Sequence, residues 1–151
     1  MCFQFSTYSR NKIWRSEIRL WQDNVEKSPK NDRPHNNLGL ALNNQGRTEE
    51  AIKYFLRALR INPDSKRAHN NLGSVLNKQG HTEDAIKHYL EALRINPNSE
   101  EAHNNLAVSF LYKGYIKRAI AHFRKSLQIN PDYIPAQNNL KKVLMKQQEK
   151  K

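Results

Sequence analysis

The chain has 151 residues, which suits one domain. Only 37% of it is hydrophobic and its net charge is +12, which argues against a round globule with one deep core. No apolar run approaches the ~20 residues that a membrane span needs, and Cys2, the single cysteine, excludes an internal disulfide.

The N-terminal stretch "MCFQFSTYSRNKIW" has no continuous apolar segment and no small-residue cleavage site, so it does not read as a signal peptide. Residues 1–15 are expected to be irregular. Residues 16–31 then carry Ile18, Trp21 and Val25 at helical spacing, and Pro29 closes the stretch. From here the chain repeats itself. "HNNLG" occurs at 35–39 and 69–73, "HNNLA" at 103–107 and "QNNLK" at 137–141, each 34 residues after the last. "AIKYFLRALRINPD" at 51–64 returns as "AIKHYLEALRINPN" at 85–98 and "AIAHFRKSLQINPD" at 119–132. Such a period marks a stacked repeat array.

Each unit predicts two helices. In the first, Leu38, Ala41 and Leu42 share one stripe, and Gly46 ends the helix. Thr48, Glu49 and Glu50 open a second helix, with acids at its positive end. Its inner face carries Ala51, Phe55, Ala58 and Leu59, and Asn62-Pro63-Asp64 stops it. The units are read as 32–65, 66–99 and 100–133. Residues 16–31 form a half unit, the second helix alone. Residues 134–151 are a lone capping helix to 146, packing Leu140, Val143 and Leu144, followed by a basic tail that frays from 147.

These residues resemble the tetratricopeptide repeat family. The resemblance rests on Leu38, Gly39, Leu42, Ala51, Phe55, Ala58 and Pro63, and on their counterparts 34 and 68 residues on, where Ala107 and Ser126 replace the glycine and the last alanine. It implies an all-α fold, a right-handed α-solenoid of helix pairs stabilised by stacking. Lys141 stands where a small residue admits a partner helix, so the array ends there. The N-terminal wording, "TYSRNKIWRSEIRLWQDNVEKSPKNDRPHNNLG", also resembles the junction before the repeat tail of polytopic, mannosyltransferase-like bacterial membrane proteins. That implies a truncated or stand-alone relative of such a tail.

No HExxH, paired cysteine, phosphate-cradling glycine loop or serine nucleophile motif is present, so no catalysis, metal or cofactor is expected. His35, His69 and His103 recur at the repeat spacing and read as packing residues, because equivalent residues of stacked helices lie ~8–10 Å apart. His81, His88 and His122 read as exposed.

The concave surface remains. From Asn37, helical steps reach Arg33, Leu40 and Asn44, and the next units supply Arg67, Asn71, Ser74, Asn77 and Lys78, then Glu101, Asn105, Val108, Leu111 and Tyr112. In the repeat region of O-linked N-acetylglucosamine transferases, one inner-face asparagine per unit grips an extended peptide. That resemblance maps onto Asn37, Asn71, Asn105 and Asn139. The competing reading is that these carboxamides only bridge neighbouring helices. Asn36, Asn70, Asn104 and Asn138 read as a polar groove wall. The first three occupy the lysine slots of the carboxylate clamp found in chaperone-tail binders, so that clamp is absent.

The expected function is therefore a non-catalytic module that binds a protein or an extended peptide. Acidic residues would lie near Arg33 and Arg67 and an apolar residue near Val108 and Tyr112. No small-molecule substrate is evident. The runner-up is an accessory or detached tail of a membrane glycosyltransferase-like system, reaching a membrane only through a partner. Nucleic-acid binding through Lys53, Arg57, Lys87, Arg94, Arg124 and Lys125 is the weakest reading. Residues 1–31 carry +3 and 141–151 carry +4, so the two ends hold +7 of the +12, as solvated ends do. The open edge near Trp21 makes a second copy of the chain a candidate partner, and a cytoplasmic location is expected.

Overall fold

The structure is a computed structural model and describes residues 17–149. The expectation for residues 1–15 falls outside the described residues. Eight helices follow one another, with no strand among the described residues. They are α1 (17–27), α2 (Asp32–Asn44), α3 (Thr48–Ile61), α4 (Lys66–Lys78), α5 (Thr82–Ile95), α6 (Glu100–Tyr112), α7 (Ile116–Ile129) and α8 (Ile134–Gln148). The fold is an all-α solenoid of helix pairs. The chain divides into two compact units after Val75, within α4.

In the first unit, Leu38, Ala41 and Leu42 of α2 and Ala51, Phe55 and Ala58 of α3 are all buried. Gly39 sets how closely the two helices approach. A Cβ placed there would lie 2.8 Å from the Phe55 ring and 3.1 Å from the Ala51 carbonyl oxygen. The ring thus occupies the space that any side chain would need. Gly46 turns the chain with a φ of 79°, a conformation open to glycine at no steric cost. Arg47 N–H then donates to the Leu42 carbonyl at 3.0 Å, closing the helix end. A bond of Ser65 Oγ–H to Asp32 Oδ2, 2.7 Å, ties the start of α2 to the turn before α4.

The second unit builds its core from Tyr89, Leu93, Leu106, Phe110, Phe123 and Val143, with alanines at 85, 92, 102, 107, 119 and 136 admitting close contact. Leu76, at the end of α4, packs against this core. Ser126 is fully buried, and its hydroxyl donates to the Glu100 carbonyl at 2.8 Å, joining α7 to the start of α6. Full burial of one large apolar side chain contributes ~1.5–3 kcal/mol, so these rings and leucines dominate each unit. The final helix runs to Gln148, two residues past the expected end at 146, and the Glu149 N–H donates to the Met145 carbonyl at 3.2 Å.

Candidate functional site

The asparagine pairs are the first feature of the inner helices. The first member of each of the first three pairs is not a groove wall, whereas Asn138 of the fourth is exposed. Asn36, Asn70 and Asn104 are 4%, 8% and 5% exposed. In the first unit, Asn71 Nδ2–H donates to Asn36 Oδ1 at 2.9 Å, and Asn36 Nδ2–H donates to Asn37 Oδ1 at 3.3 Å. The second unit repeats the pattern. Asn139 donates to Asn104 Oδ1 at 3.0 Å, and Asn104 donates to Asn105 Oδ1 at 3.3 Å. The correction has a simple cause. One residue back along an α-helix is a rotation of ~100°, which turns the first carboxamide out of the groove and toward the next inner helix. There it must find partners, because a buried amide without hydrogen bonds costs stability.

Asn37, Asn71, Asn105 and Asn139 are half-buried. A carboxamide has two N–H donors and an oxygen that accepts. The bridge engages one N–H of Asn71 and one of Asn139. Both therefore serve the helix-bridging role. Asn77, on the same inner stripe, has a buried Oδ1 with no partner among the described residues.

The other expected groove residues divide into two groups. Arg33, Asn44, Arg67 and Lys78 are exposed on α2 and α4. Val108, Tyr112 and Asn139 do come together. They line an open cleft of about 1100 Å³ in the second unit, between α6 and α8. Leu111 and Ile116 extend its apolar side, and Lys142, Val143 and Lys146 form the α8 side. Tyr112 is 70% exposed there. Lys142 and Lys146 were not anticipated. They continue the stripe from Asn139 in steps of three and four, a signal present in the sequence.

The repeating histidines also have a defined task. His35, His69 and His103 each donate Nε2–H to the carbonyl of Pro29, Pro63 and Pro97, at 3.1, 2.9 and 3.1 Å. Gln137 makes the equivalent bond to Pro131 at 2.7 Å. Each inner helix is thereby latched to the turn six residues before. Donation from Nε2 leaves Nδ1 of His103 bare, and it accepts from His122 Nδ1–H at 2.9 Å. His122 is thus half-buried and partnered, contrary to the expectation of exposure. Its ring centre lies 5.2 Å from that of His103 and 5.5 Å from that of Phe110. Burial holds both imidazoles below the ordinary histidine range. The Pro97 bond partly opposes this for His103, whereas the neighbouring His103 adds to it for His122.

Comparison with known proteins agrees with this geometry. The sequence profile of the tetratricopeptide repeat matches residues 32–98 and 67–132. Curated relatives include Protein O-mannosyl-transferase Tmtc3 of Drosophila melanogaster, 44% identical over 55 residues, which are 36% of this chain and 6% of that protein. Protein O-mannosyl-transferase TMTC1 of Homo sapiens is 34% identical over 61 residues, 40% of this chain and 7% of that protein. The matched segment is thus a small part of much longer proteins, and these relatives are animal proteins rather than bacterial ones. Among solved structures, the MamA protein superposes with a TM-score of 0.75 at 20% identity, over 91% of this chain and 75% of that one. YrrB, described as a tetratricopeptide protein with an unusual peptide-binding site, gives 0.75 at 20% identity, over 90% and 70%. The first tetratricopeptide domain of Spaghetti, bound to an HSP90 peptide, gives 0.71 at 18% identity, over 74% and 88%. At these identities the structures establish the fold. The profile match, the 34-residue register and the helix pairs together show that this chain belongs to the tetratricopeptide repeat family.

Proposed function

We propose that this chain is a non-catalytic interaction module whose inner helices hold an extended segment of a protein partner. The supporting observation is the double use of Asn71 and Asn139. Each spends one N–H on the neighbouring asparagine and keeps an N–H and an oxygen for a ligand. A carboxamide can pair with a peptide unit through both groups, as a neighbouring strand does, whatever the side chains of the peptide. In the first unit Arg33 and Arg67 add positive charge beside Asn37 and Asn71, so acidic residues suit that part. In the second unit Val108 and Tyr112 supply an apolar surface beside Asn139. Solved relatives of this fold bind peptides, as YrrB and Spaghetti do by their descriptions. The test selects peptides from a random library and measures their affinity for Asn71→Ala/Asn105→Ala protein that still melts cooperatively. Affinity should fall by about tenfold or more, since each lost peptide hydrogen bond is worth ~0.5–1.5 kcal/mol. Unchanged affinity would remove the asparagine ladder from the account.

A second reading is favoured by the matches to the O-mannosyl-transferases. In it, the module serves a membrane glycosyltransferase-like system and docks a substrate or a partner subunit. No helix among the described residues is long and apolar enough to cross a membrane. Affinity capture from detergent-solubilised membranes tests it. Enrichment of a many-spanning glycosyltransferase supports the reading, and capture of proteins without membrane spans alone counts against it.

A further inference from the structure

The cleft between α6 and α8 has two unlike walls. On the α6 side, Val108, Leu111 and Tyr112 present an apolar surface. On the α8 side, Lys142 and Lys146 stand one helical turn apart, with Asn139 one turn earlier. No acidic side chain lines the cleft among the described residues. Four residues of α-helix rise ~6 Å. In an extended chain, residues i and i+2 are ~6.6 Å apart and point to one side, while residue i+1 points to the other. A strand running along α8 therefore meets both lysines with alternate side chains and turns the intervening one toward α6. The two repeats match to within an ångström.

We propose that this cleft recognises an extended protein segment of acidic–apolar–acidic pattern. The two acidic side chains pair with Lys142 and Lys146. The apolar side chain between them lies against Val108, Leu111 and Tyr112, and the Asn139 carboxamide meets the peptide backbone. This rests on the inner-groove reading above and deepens it. The volume of about 1100 Å³ leaves room for a large apolar side chain together with the backbone that carries it. Complementary charge at such a surface favours fast association and rejects basic segments.

The test uses fluorescein-labelled decapeptides, N-acetylated and C-amidated so that no terminal carboxylate contributes. Their centre is Glu-Leu-Glu in a Gly/Ser background, with Lys-Leu-Lys and Glu-Ser-Glu as controls. The Glu-Leu-Glu peptide is expected to bind, with both controls about tenfold weaker or worse. Lys142→Glu/Lys146→Glu should invert the charge preference, so that Lys-Leu-Lys binds better than Glu-Leu-Glu. Both lysines are exposed, and the gain for Lys-Leu-Lys itself shows that the variant is folded. Tyr112→Ser should weaken the Glu-Leu-Glu peptide and leave the Glu-Ser-Glu control unchanged. Glu-Leu-Glu affinity that ignores both the charge reversal and the Leu-to-Ser change overturns the proposal. If library-selected peptides bind through the asparagines yet ignore the lysines, the groove reading survives and this inference falls. If no peptide binds at all, both fall.

Discussion

The two compact units share one repeat and differ in what they do with its spare positions. In the first, His35 meets Tyr54, with ring centres 6.2 Å apart, and its buried Nδ1 has no hydrogen-bond partner. In the second, the residues 68 positions on are His103 and His122, and the same nitrogen accepts a 2.9 Å bond. The proline latch is present in both. So is the asparagine bridge, at 2.9 and 3.0 Å. Their inner walls, however, diverge from amide and arginine to valine, leucine and tyrosine. Positions that hold helix against helix keep their chemistry because stacking demands it. Those that face outward from the stack are free to vary, and the proposed recognition would be encoded there.

The comparison can be broken most severely at the packing positions. Phe55 and Phe123 are both fully buried. Phe55→Ala and Phe123→Ala should each destabilise by ~3–5 kcal/mol in chemical denaturation. A large difference between them would show that the two units are not equivalent in packing. Gly39→Ala comes next. Its methyl would meet the Phe55 ring at 2.8 Å, and overpacking of this kind costs ~1–3 kcal/mol. A stabilised variant would mean that the helix pair is looser than described. The buried asparagines should give a smaller effect. Asn36→Ala and Asn104→Ala are each expected to lower stability by about 1 kcal/mol, equally in the two units.

The histidine pair predicts a difference in pH response. The folded state holds His103 and His122 below the ordinary histidine range, so the unfolded chain binds protons more readily. Stability is then complete above the unfolded-state value of ~6.5 and is lost as pH falls from there through the lower folded-state values. Lys125 contributes in the same direction at His103. His122→Tyr, which installs the ring found at Tyr54, should flatten the dependence of Tm on pH between 7.5 and 5. An unchanged slope would place the acid sensitivity elsewhere. The smallest effect is expected at exposed ion pairs such as Lys87–Asp84 and Arg94–Glu91, 2.8 Å each. Solvent screens them, and Lys87→Ala should leave Tm unmoved in a thermal melt.

The helix pairs were legible because their signals are one-dimensional. A 34-residue period, a glycine at the end of the first helix and a proline after the second need no knowledge of neighbours. Roles set between helices were harder to read. Whether Asn36 or Asn37 faces the groove depends on a rotation of ~100° and on where the next inner helix sits. The pairing of His103 with His122 is hidden by their separation of 19 residues, although His35 and Tyr54 share that spacing. Lys142 and Lys146 are hard to read as groove residues because α8 carries the sequence features of a capping helix, although they continue the stripe that passes through Asn139.

The most direct measurement watches the side-chain amides of Asn71 and Asn139 by ¹⁵N-edited NMR while an extended peptide is added. In each amide, one proton should exchange slowly with water and hold its position, because it is bound to Asn36 or Asn104. The other should move as the peptide binds. If both protons exchange alike and binding shifts only the outer faces of α3, α5 and α7, these asparagines do not serve the groove.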